Sequence, residues 1–237
     1  PISGLLSPTV MAGRRDLQKI RLAGADHVGV AIDTATEELF DLHRGSGVGG
    51  PHRWESYWQC VTDSVGVFGR YKAGIHLMVG LGETEEQMVH AISRAYRIGA
   101  MTHLFSFFPE SGSLLQHHPQ PPLAKYRRIQ VARYLINESI TDGDGMRFSA
   151  EGRIIDFGLD MTPYLQRGEA FMTSGCPDSN GRMACNRPFG NERASEPMRN
   201  YPYRPEPGEI RRIRSQIWED GVVENPDHRG LGQTSGK

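Results

Sequence analysis

Cysteine is scarce in this sequence: Cys60, Cys176 and Cys185 are the three among 237 residues. An odd number this small does not build the disulfide network that stabilises small secreted domains. We therefore expect a reducing, cytoplasmic compartment. Cys60 lies in a segment rich in apolar residues and is expected to be a structural thiol.

Long apolar runs and an excess of charge of either sign are also missing. The longest apolar runs, such as residues 77–81 and 104–108, are far shorter than the roughly 18 residues of a membrane-spanning helix. The 27 Lys and Arg residues nearly balance the 28 Asp and Glu residues, which gives a formal net charge of −1. This balance disfavours nucleic acid and acidic membranes as partners.

What the sequence does contain is an alternation of strand-like and helix-like segments. Four apolar runs typical of buried strands lie at residues 2–6, 26–33, 74–81 and 101–108, with a further candidate at 146–155. Helical patterns separate them, which is typical of βαβ units and a parallel sheet. Because the strands are apolar throughout, both faces of the sheet are expected to be covered. We predict an α/β fold, a partial (β/α) barrel, with an open doubly wound sheet as the alternative.

Composition divides the chain into three predicted regions. Residues 1–158 form the barrel part. Residues 159–224 form an irregular extension rich in Cys, Arg and Pro that ends in a short helix, and residues 225–237 form a disordered tail. The chain begins with Pro1 rather than Met, and a barrel needs more strands than are visible. We therefore expect the missing strands to lie before Pro1.

A glycine-rich segment, Val-Gly-Leu-Gly-Glu at residues 79–83, follows the third predicted strand. Thr84 and Gln87 have the spacing of a capping box, so a helix is expected to begin there. Ligands bind at this edge of parallel sheets and barrels, and a helix N-terminus favours an anionic group. The alternative is an ordinary tight turn between a strand and a helix.

Asp33 is the second candidate, because it stands at the C-terminal end of the second predicted strand. A carboxylate in that position can accept hydrogen bonds from the hydroxyl pair of a ribose. The alternative is that Asp33 caps the helix that follows.

Cys176 and Cys185, separated by eight residues, are the third candidate. Two thiolates can share a metal or iron–sulfur centre but supply only half of four ligands, and buried free thiols are the alternative. A metal centre would help to hold an extension that buries little apolar surface. The histidines form no ligand pattern, and His76 and His103 in their strands are expected to be core residues.

Residues 74–84 resemble the fifth-strand motif of radical S-adenosylmethionine enzymes, most closely the biotin and lipoyl synthase branch. Residues 24–34 resemble the fourth strand of that barrel, 53–57 the helix start between the two strands, and 105–113 the sixth strand and its loop. In the extension, residues 174–177 and 184–193 resemble the two-component, archaeal-type lipoyl synthases.

This resemblance implies an enzyme that inserts sulfur into an unactivated C–H bond of a lipoyl- or biotin-type substrate through a 5′-deoxyadenosyl radical. It implies two cofactors, S-adenosylmethionine and a [4Fe–4S] cluster. The resemblance implies that Asp33 holds the ribose hydroxyls and that Arg53 pairs with the cofactor carboxylate or with the substrate. It implies that Val79 and Gly80 pack near the adenosine and that the backbone of Phe107 and Phe108 pairs with the adenine edge. It also implies that Glu83 braces the loop and that Cys176 and Cys185 bind an auxiliary cluster. No catalytic acid or base is implied.

The implied partners are a lipoyl-type carrier protein, a second synthase subunit, and an electron donor such as ferredoxin or flavodoxin. Five arginines could form a basic patch that steers an acidic carrier domain: Arg182, Arg187, Arg193, Arg199 and Arg204. Alternatively these arginines are solvated or pair with Glu192 and Glu196.

The chain departs from the family by lacking its Cys-x3-Cys-x2-Cys motif. The motif is expected upstream of Pro1, in which case this fragment alone would be inactive. Two alternatives remain, a non-catalytic barrel subunit and another (β/α)-barrel enzyme such as an aldolase or a phosphate-binding lyase. The latter calls for a lysine or paired carboxylates at strand ends, and Lys72 precedes its strand.

Overall fold

A computed structural model describes residues 1–11, 13–176, 180 and 185–219. Four strands form one parallel sheet in the order β1-β2-β3-β4. Their bounds are β1 Ser3–Leu6, β2 His27–Asp33, β3 Ala73–Val79 and β4 Met101–Ser106. The predicted tail, residues 225–237, lies outside the described residues.

Helices connect and follow these strands. The longer ones are α1 Arg14–Leu22, α2 Glu37–His43, α3 Trp54–Phe68, α4 Glu85–Ile98 and α5 Leu123–Asn137. The extension adds α6 Thr162–Leu165, α7 Arg187–Gly190 and α8 Pro207–Gln216. None of the helices in the described part of the chain is long and apolar enough to cross a membrane.

The sequential strand order makes this sheet part of a (β/α) barrel. Right-handed crossovers between neighbouring strands taken in order place every connecting helix on the same face. A doubly wound sheet would instead reverse its order and carry helices on both faces. The predicted fold class, an α/β partial barrel, is therefore confirmed.

The two faces of the sheet differ, contrary to the expectation that both are covered alike. Val30, Ile32 and Ile75 are fully buried against the helices. The other face, which is the inner face of the barrel, carries His76 and His103, whose ring centroids lie 5.7 Å apart. Small residues separate the few polar ones on the inner face, so each strand has an almost entirely apolar sequence. The composition of the strands therefore did not predict that the two faces differ.

Local capping signals fixed the helix ends as expected. In α4, the Thr84 hydroxyl accepts from the Gln87 N–H at 3.1 Å, and the Gln87 side chain accepts from the Thr84 N–H at 2.9 Å. Gly99, with φ 99°, ends the same helix in the left-handed conformation.

The segment predicted as a last strand at 146–155 is instead a small hairpin outside the main sheet. It consists of β5 Arg147–Phe148 and β6 Ile154–Asp156, which pair antiparallel. The turn between them contains Gly152, whose φ of 72° suits glycine. The turn reverses the chain, so this segment cannot continue the parallel sheet.

Buried arginines of α5 attach the extension to the barrel part. Arg127 donates to the carbonyl oxygens of Arg199 at 2.6 Å and Met198 at 2.7 Å. Arg128 donates to the Ile217 carbonyl at 2.7 Å and makes a two-pronged contact with the Glu85 carboxylate at 2.7 and 2.9 Å. Hydrogen bonds from guanidinium groups to backbone carbonyls thus hold the extension against the barrel part.

Candidate functional site

The carboxyl edge of the sheet carries a strained carboxylate at the end of β2. Asp33 has a φ of 67°, a backbone angle that residues other than glycine adopt only rarely. Its Oδ2 accepts a hydrogen bond from Nη1 of Arg44, and its side chain remains 29% exposed. Asp33 does not cap the following helix, because Thr36 does so through a 3.3 Å bond to the Leu39 N–H.

Arg44 is itself held in place by aromatic side chains. Its Nη2 donates to the Tyr57 hydroxyl at 3.2 Å, and its guanidinium lies 5.1 Å from the centre of the Tyr57 ring. The Tyr57 hydroxyl also lies 2.7 Å from Nδ1 of His52. Asp33, Arg44, Tyr57 and His52 are thus joined in one hydrogen-bond network.

Burial controls the ionisation of this network. Desolvation raises the pKa of the Asp33 carboxyl above its ordinary value, and the neighbouring charge of Arg44 opposes this shift. Burial and then the charge of Arg44 lower the pKa of His52, so its imidazole is neutral at pH 7. A carboxylate with a raised pKa at a strand end is a typical functional-site candidate.

The glycine-rich loop after β3 is held rigid from inside. The Glu83 carboxylate accepts the N–H groups of Gly80 and Leu81, each at 2.9 Å, and its Oε1 lies 2.9 Å from the ammonium of Lys125. A Cβ added at Gly80, where φ is 107°, would lie 2.5 Å from Cδ of Pro121. The loop therefore requires glycine at residue 80, and Glu83 braces it.

The same loop offers few free backbone groups to a ligand. His118 bonds the Gly80 carbonyl at 2.8 Å, and His43 bonds the Leu81 carbonyl at 3.0 Å. The N–H of Glu86 in the first turn of α4 donates to the Gly152 carbonyl at 2.9 Å, and Thr84 takes the N–H of Gln87. This helix start is therefore occupied, which disfavours the expected anion site there.

The other predicted site residues make no hydrogen bond to Asp33 among the described residues. Arg53 is exposed, and its guanidinium donates to the carbonyls of Gly50 and His52. Val79 is fully buried, and its carbonyl accepts from the Phe107 N–H at 2.9 Å. Phe107 and Phe108 are both buried.

Sequence reasoning missed Arg44, which forms the ion pair with Asp33. The available signal was a lone cation at the end of a helix, directly before the glycine-rich segment 45–50. That segment turns the chain back toward β2, and composition does not predict the direction of such a turn.

Cys176 and Cys185 lie next to each other in the structure. The Cys185 N–H donates to the Cys176 carbonyl at 3.2 Å, and the Cys176 Sγ lies 3.0 Å from the Ser3 hydroxyl. Both cysteines line a cavity of about 150 Å³ on the inner face, together with His76 and His103. Among the described residues, no three or more His, Cys, Asp or Glu side chains are placed to hold a metal ion.

The two histidines beside this cavity are neutral at pH 7. Burial lowers the pKa of His76 to about 4 and that of His103 to about 3. His103 Nδ1 is also engaged by the Ser174 carbonyl of the extension. A metal role for the cysteine pair stays a prediction.

The predicted basic patch of the extension is mostly neutralised or buried. Arg193 pairs with Glu110 at 3.0 Å, Arg204 pairs with Glu169, and Arg199 is buried. Arg182 lies outside the described residues. The local acid Glu192 accepts backbone N–H groups, among them that of Arg199 at 2.9 Å.

Comparison with known proteins gives no family. No protein-family model matches the chain, and no curated protein matches it. A solved structure from Burkholderia cenocepacia, assigned as a phosphonomutase, matches at 13% identity with a TM-score of 0.36, over 60% of this chain and 51% of that one. The chain thus spans about half the length of that structure.

These findings correct the family assignment. The expected membership in the radical S-adenosylmethionine enzymes is wrong, because no protein-family model matches the chain. S-adenosylmethionine, the [4Fe–4S] cluster, the carrier protein, the second subunit and the electron donor were implied by that resemblance alone. Without the family assignment, these predicted cofactors and partners have no remaining basis.

Proposed function

We propose that this chain forms part of a (β/α)-barrel enzyme of another family, and that its ligand binds at the carboxyl edge through Asp33. The observation that carries the proposal is the state of this carboxylate: one oxygen is held by Arg44, while Oδ1 accepts no hydrogen bond from the described residues. Barrel enzymes bind their ligands at this edge. Asp33 therefore presents an oriented acceptor in the expected place.

The cost of this arrangement supports a functional role. A non-glycine residue held at positive φ costs roughly 1–3 kcal/mol, and the surrounding structure must enforce it. Desolvation of a carboxylate adds to this cost, as the raised pKa of Asp33 indicates. Thr36 already caps α2, so helix capping does not account for Asp33.

The chemistry of the free oxygen points to a hydroxyl-bearing ligand. An ionised carboxylate only accepts hydrogen bonds, and Arg44 favours the ionised form. Tyr57 and His52 fix the guanidinium, so the carboxylate does not swing between ligand and solvent. A ribose, with two adjacent hydroxyls, is the ligand class that we propose.

Calorimetric titration with adenosine tests this proposal. We expect Asp33→Asn to weaken adenosine binding about tenfold or more, because hydrogen bonds to a charged group are among the stronger ones. Asp144→Asn is the matched control, since that exposed carboxylate pairs with Arg97 on the surface. Equal adenosine affinity in Asp33→Asn and the wild type contradicts the site. A folded wild type that binds no adenosine favours a non-catalytic barrel subunit.

A further inference from the structure

A second cavity, of about 670 Å³, opens at the amino-terminal edge of the sheet, at the opposite end of the strands from Asp33. The starts of β2, β3 and β4, the second half of α5 and residues 172–176 of the extension line it. Its volume falls within the range of about 300–1,000 Å³ that is typical of small-molecule sites. It is a separate feature from the proposed site at the carboxyl edge.

Arg133 of α5 is the unusual residue of this cavity. Only 6% of it is exposed, yet no carboxylate of the described chain lies within 4.0 Å of its guanidinium. Its Nη2 donates to the carbonyls of Ala170 at 2.9 Å and Met172 at 3.4 Å, while its buried Nε has no hydrogen-bond partner there. Nη1 donates to none of the described groups.

The other buried arginines of α5 have more hydrogen-bond acceptors among the described residues than Arg133 has. Arg128 faces the Glu85 carboxylate, and Arg127 donates to four acceptors on three sides. Burial lowers the pKa of Arg133 to about 10, so it remains a cation at neutral pH. The negative charge of Glu138 acts on Arg133 without pairing with it directly. A buried cation with no carboxylate in direct contact is costly unless an anion reaches it.

The remaining polar groups of the cavity are suited to a single negative charge. The ionisable ones are Lys72, Arg133, Arg204, Glu138, Glu169, His27, His103, Tyr71, Tyr134 and Cys176. Glu169 is already paired with Arg204, so Lys72 and Glu138 are the charges left beside Arg133. The buried Nδ1 of His27 has no hydrogen-bond partner among the described residues. Glu138 would repel a second negative charge.

We propose that this cavity binds a small molecule carrying one oxyanion group, a carboxylate or a phosphate, with Arg133 as its counter-charge. The planar guanidinium matches both kinds of oxyanion. Lys72, which is exposed and lines the cavity, adds attraction from its outer part. The site is independent of the ligand proposed at Asp33, so either proposal can fail alone.

Titration with acetate and with inorganic phosphate, at constant ionic strength, tests the proposal and distinguishes the two oxyanions. The readout is the saturable shift of the His27 ring signals in NMR spectra, together with Tm. We expect at least one ion to saturate. Arg133→Gln should weaken it about tenfold to a hundredfold, because a charge-assisted hydrogen bond is lost.

Because Arg133→Gln can disturb the fold, an exposed variant provides the decisive comparison. Lys72→Gln should weaken binding by a few-fold, whereas Lys19→Gln, which removes a surface charge paired with Asp16, should leave it unchanged. Saturable binding with this order of variants supports the site. Absence of saturation by both ions in the wild type, or equal effects of Lys72→Gln and Lys19→Gln, overturns it.

Discussion

At the scale of single residues, the central feature is a carboxylate that is strained, partly desolvated and held on one side. Asp33 combines a positive φ with an ion pair to Arg44. The sequence could place Asp33 at a strand end, because strand periodicity is local. It could not supply Arg44, because the contact depends on how a glycine-rich turn returns the chain.

Asp33 should leave a measurable signature in the pH dependence of stability. Its raised pKa means that the folded chain holds this proton to a higher pH than the unfolded chain does. As pH rises from about 4 through the folded pKa, ionisation of Asp33 should therefore lower the free energy of unfolding. Urea denaturation at a series of pH values measures this fall, which Asp33→Asn should make smaller.

The difference between the wild type and Asp33→Asn separates this effect from that of other acids. Glu192 also has a raised pKa through burial, so it contributes a fall of the same sign to every variant. The difference between the wild type and Asp33→Asn cancels it. A wild-type curve parallel to that of Asp33→Asn would show that the pKa of Asp33 is not raised.

At the scale of elements, the strands and helix ends were predictable and the small hairpin was not. A capping box and a left-handed glycine are signals within a few residues, as at Thr84 and Gly99. The hairpin of β5 and β6 was mistaken for one strand, because an apolar run on each side of Glu151 and Gly152 resembles an interrupted strand. Only the reversal at Gly152 separates the two.

The loop between β3 and α4 gives a second testable prediction. In Glu83→Gln, one carboxylate oxygen becomes an amide that cannot accept a backbone N–H, and Lys125 loses its counter-charge. We expect unfolding to become easier by about 3–5 kcal/mol, the usual cost of breaking a buried pair. Glu55→Gln, on the exposed face of α3, should cost under about 1 kcal/mol. Equal urea midpoints for the two variants would contradict the bracing role of Glu83.

At the scale of the whole molecule, the contacts that join the extension to the barrel part are not predicted by any sequence pattern. Arg127 reaches the Met198 carbonyl 71 residues away, and Arg128 reaches the Ile217 carbonyl 89 residues away. Composition suggested that something must hold the extension. It did not indicate that α5, which carries several basic residues, buries its arginines for that purpose.

Removing one of these arginines should destabilise the whole described chain as a unit. Arg128→Ala leaves the Glu85 carboxylate buried without its cation, so we expect a loss of about 3–5 kcal/mol in a single transition. Arg97→Ala breaks the exposed pair with Asp144 and should cost under about 1 kcal/mol. Two separate transitions in Arg128→Ala, or a loss equal to that of Arg97→Ala, would contradict this account.

The measurement that tests the central claim most directly is the affinity of the wild-type chain for adenosine and for 2′,3′-dideoxyadenosine. The two probes share the base and differ in the hydroxyl pair that Asp33 is proposed to bind. We expect adenosine to bind about tenfold or more tightly, because the dideoxy compound leaves the carboxylate without its hydrogen bonds. Equal affinities would contradict the proposed role of Asp33.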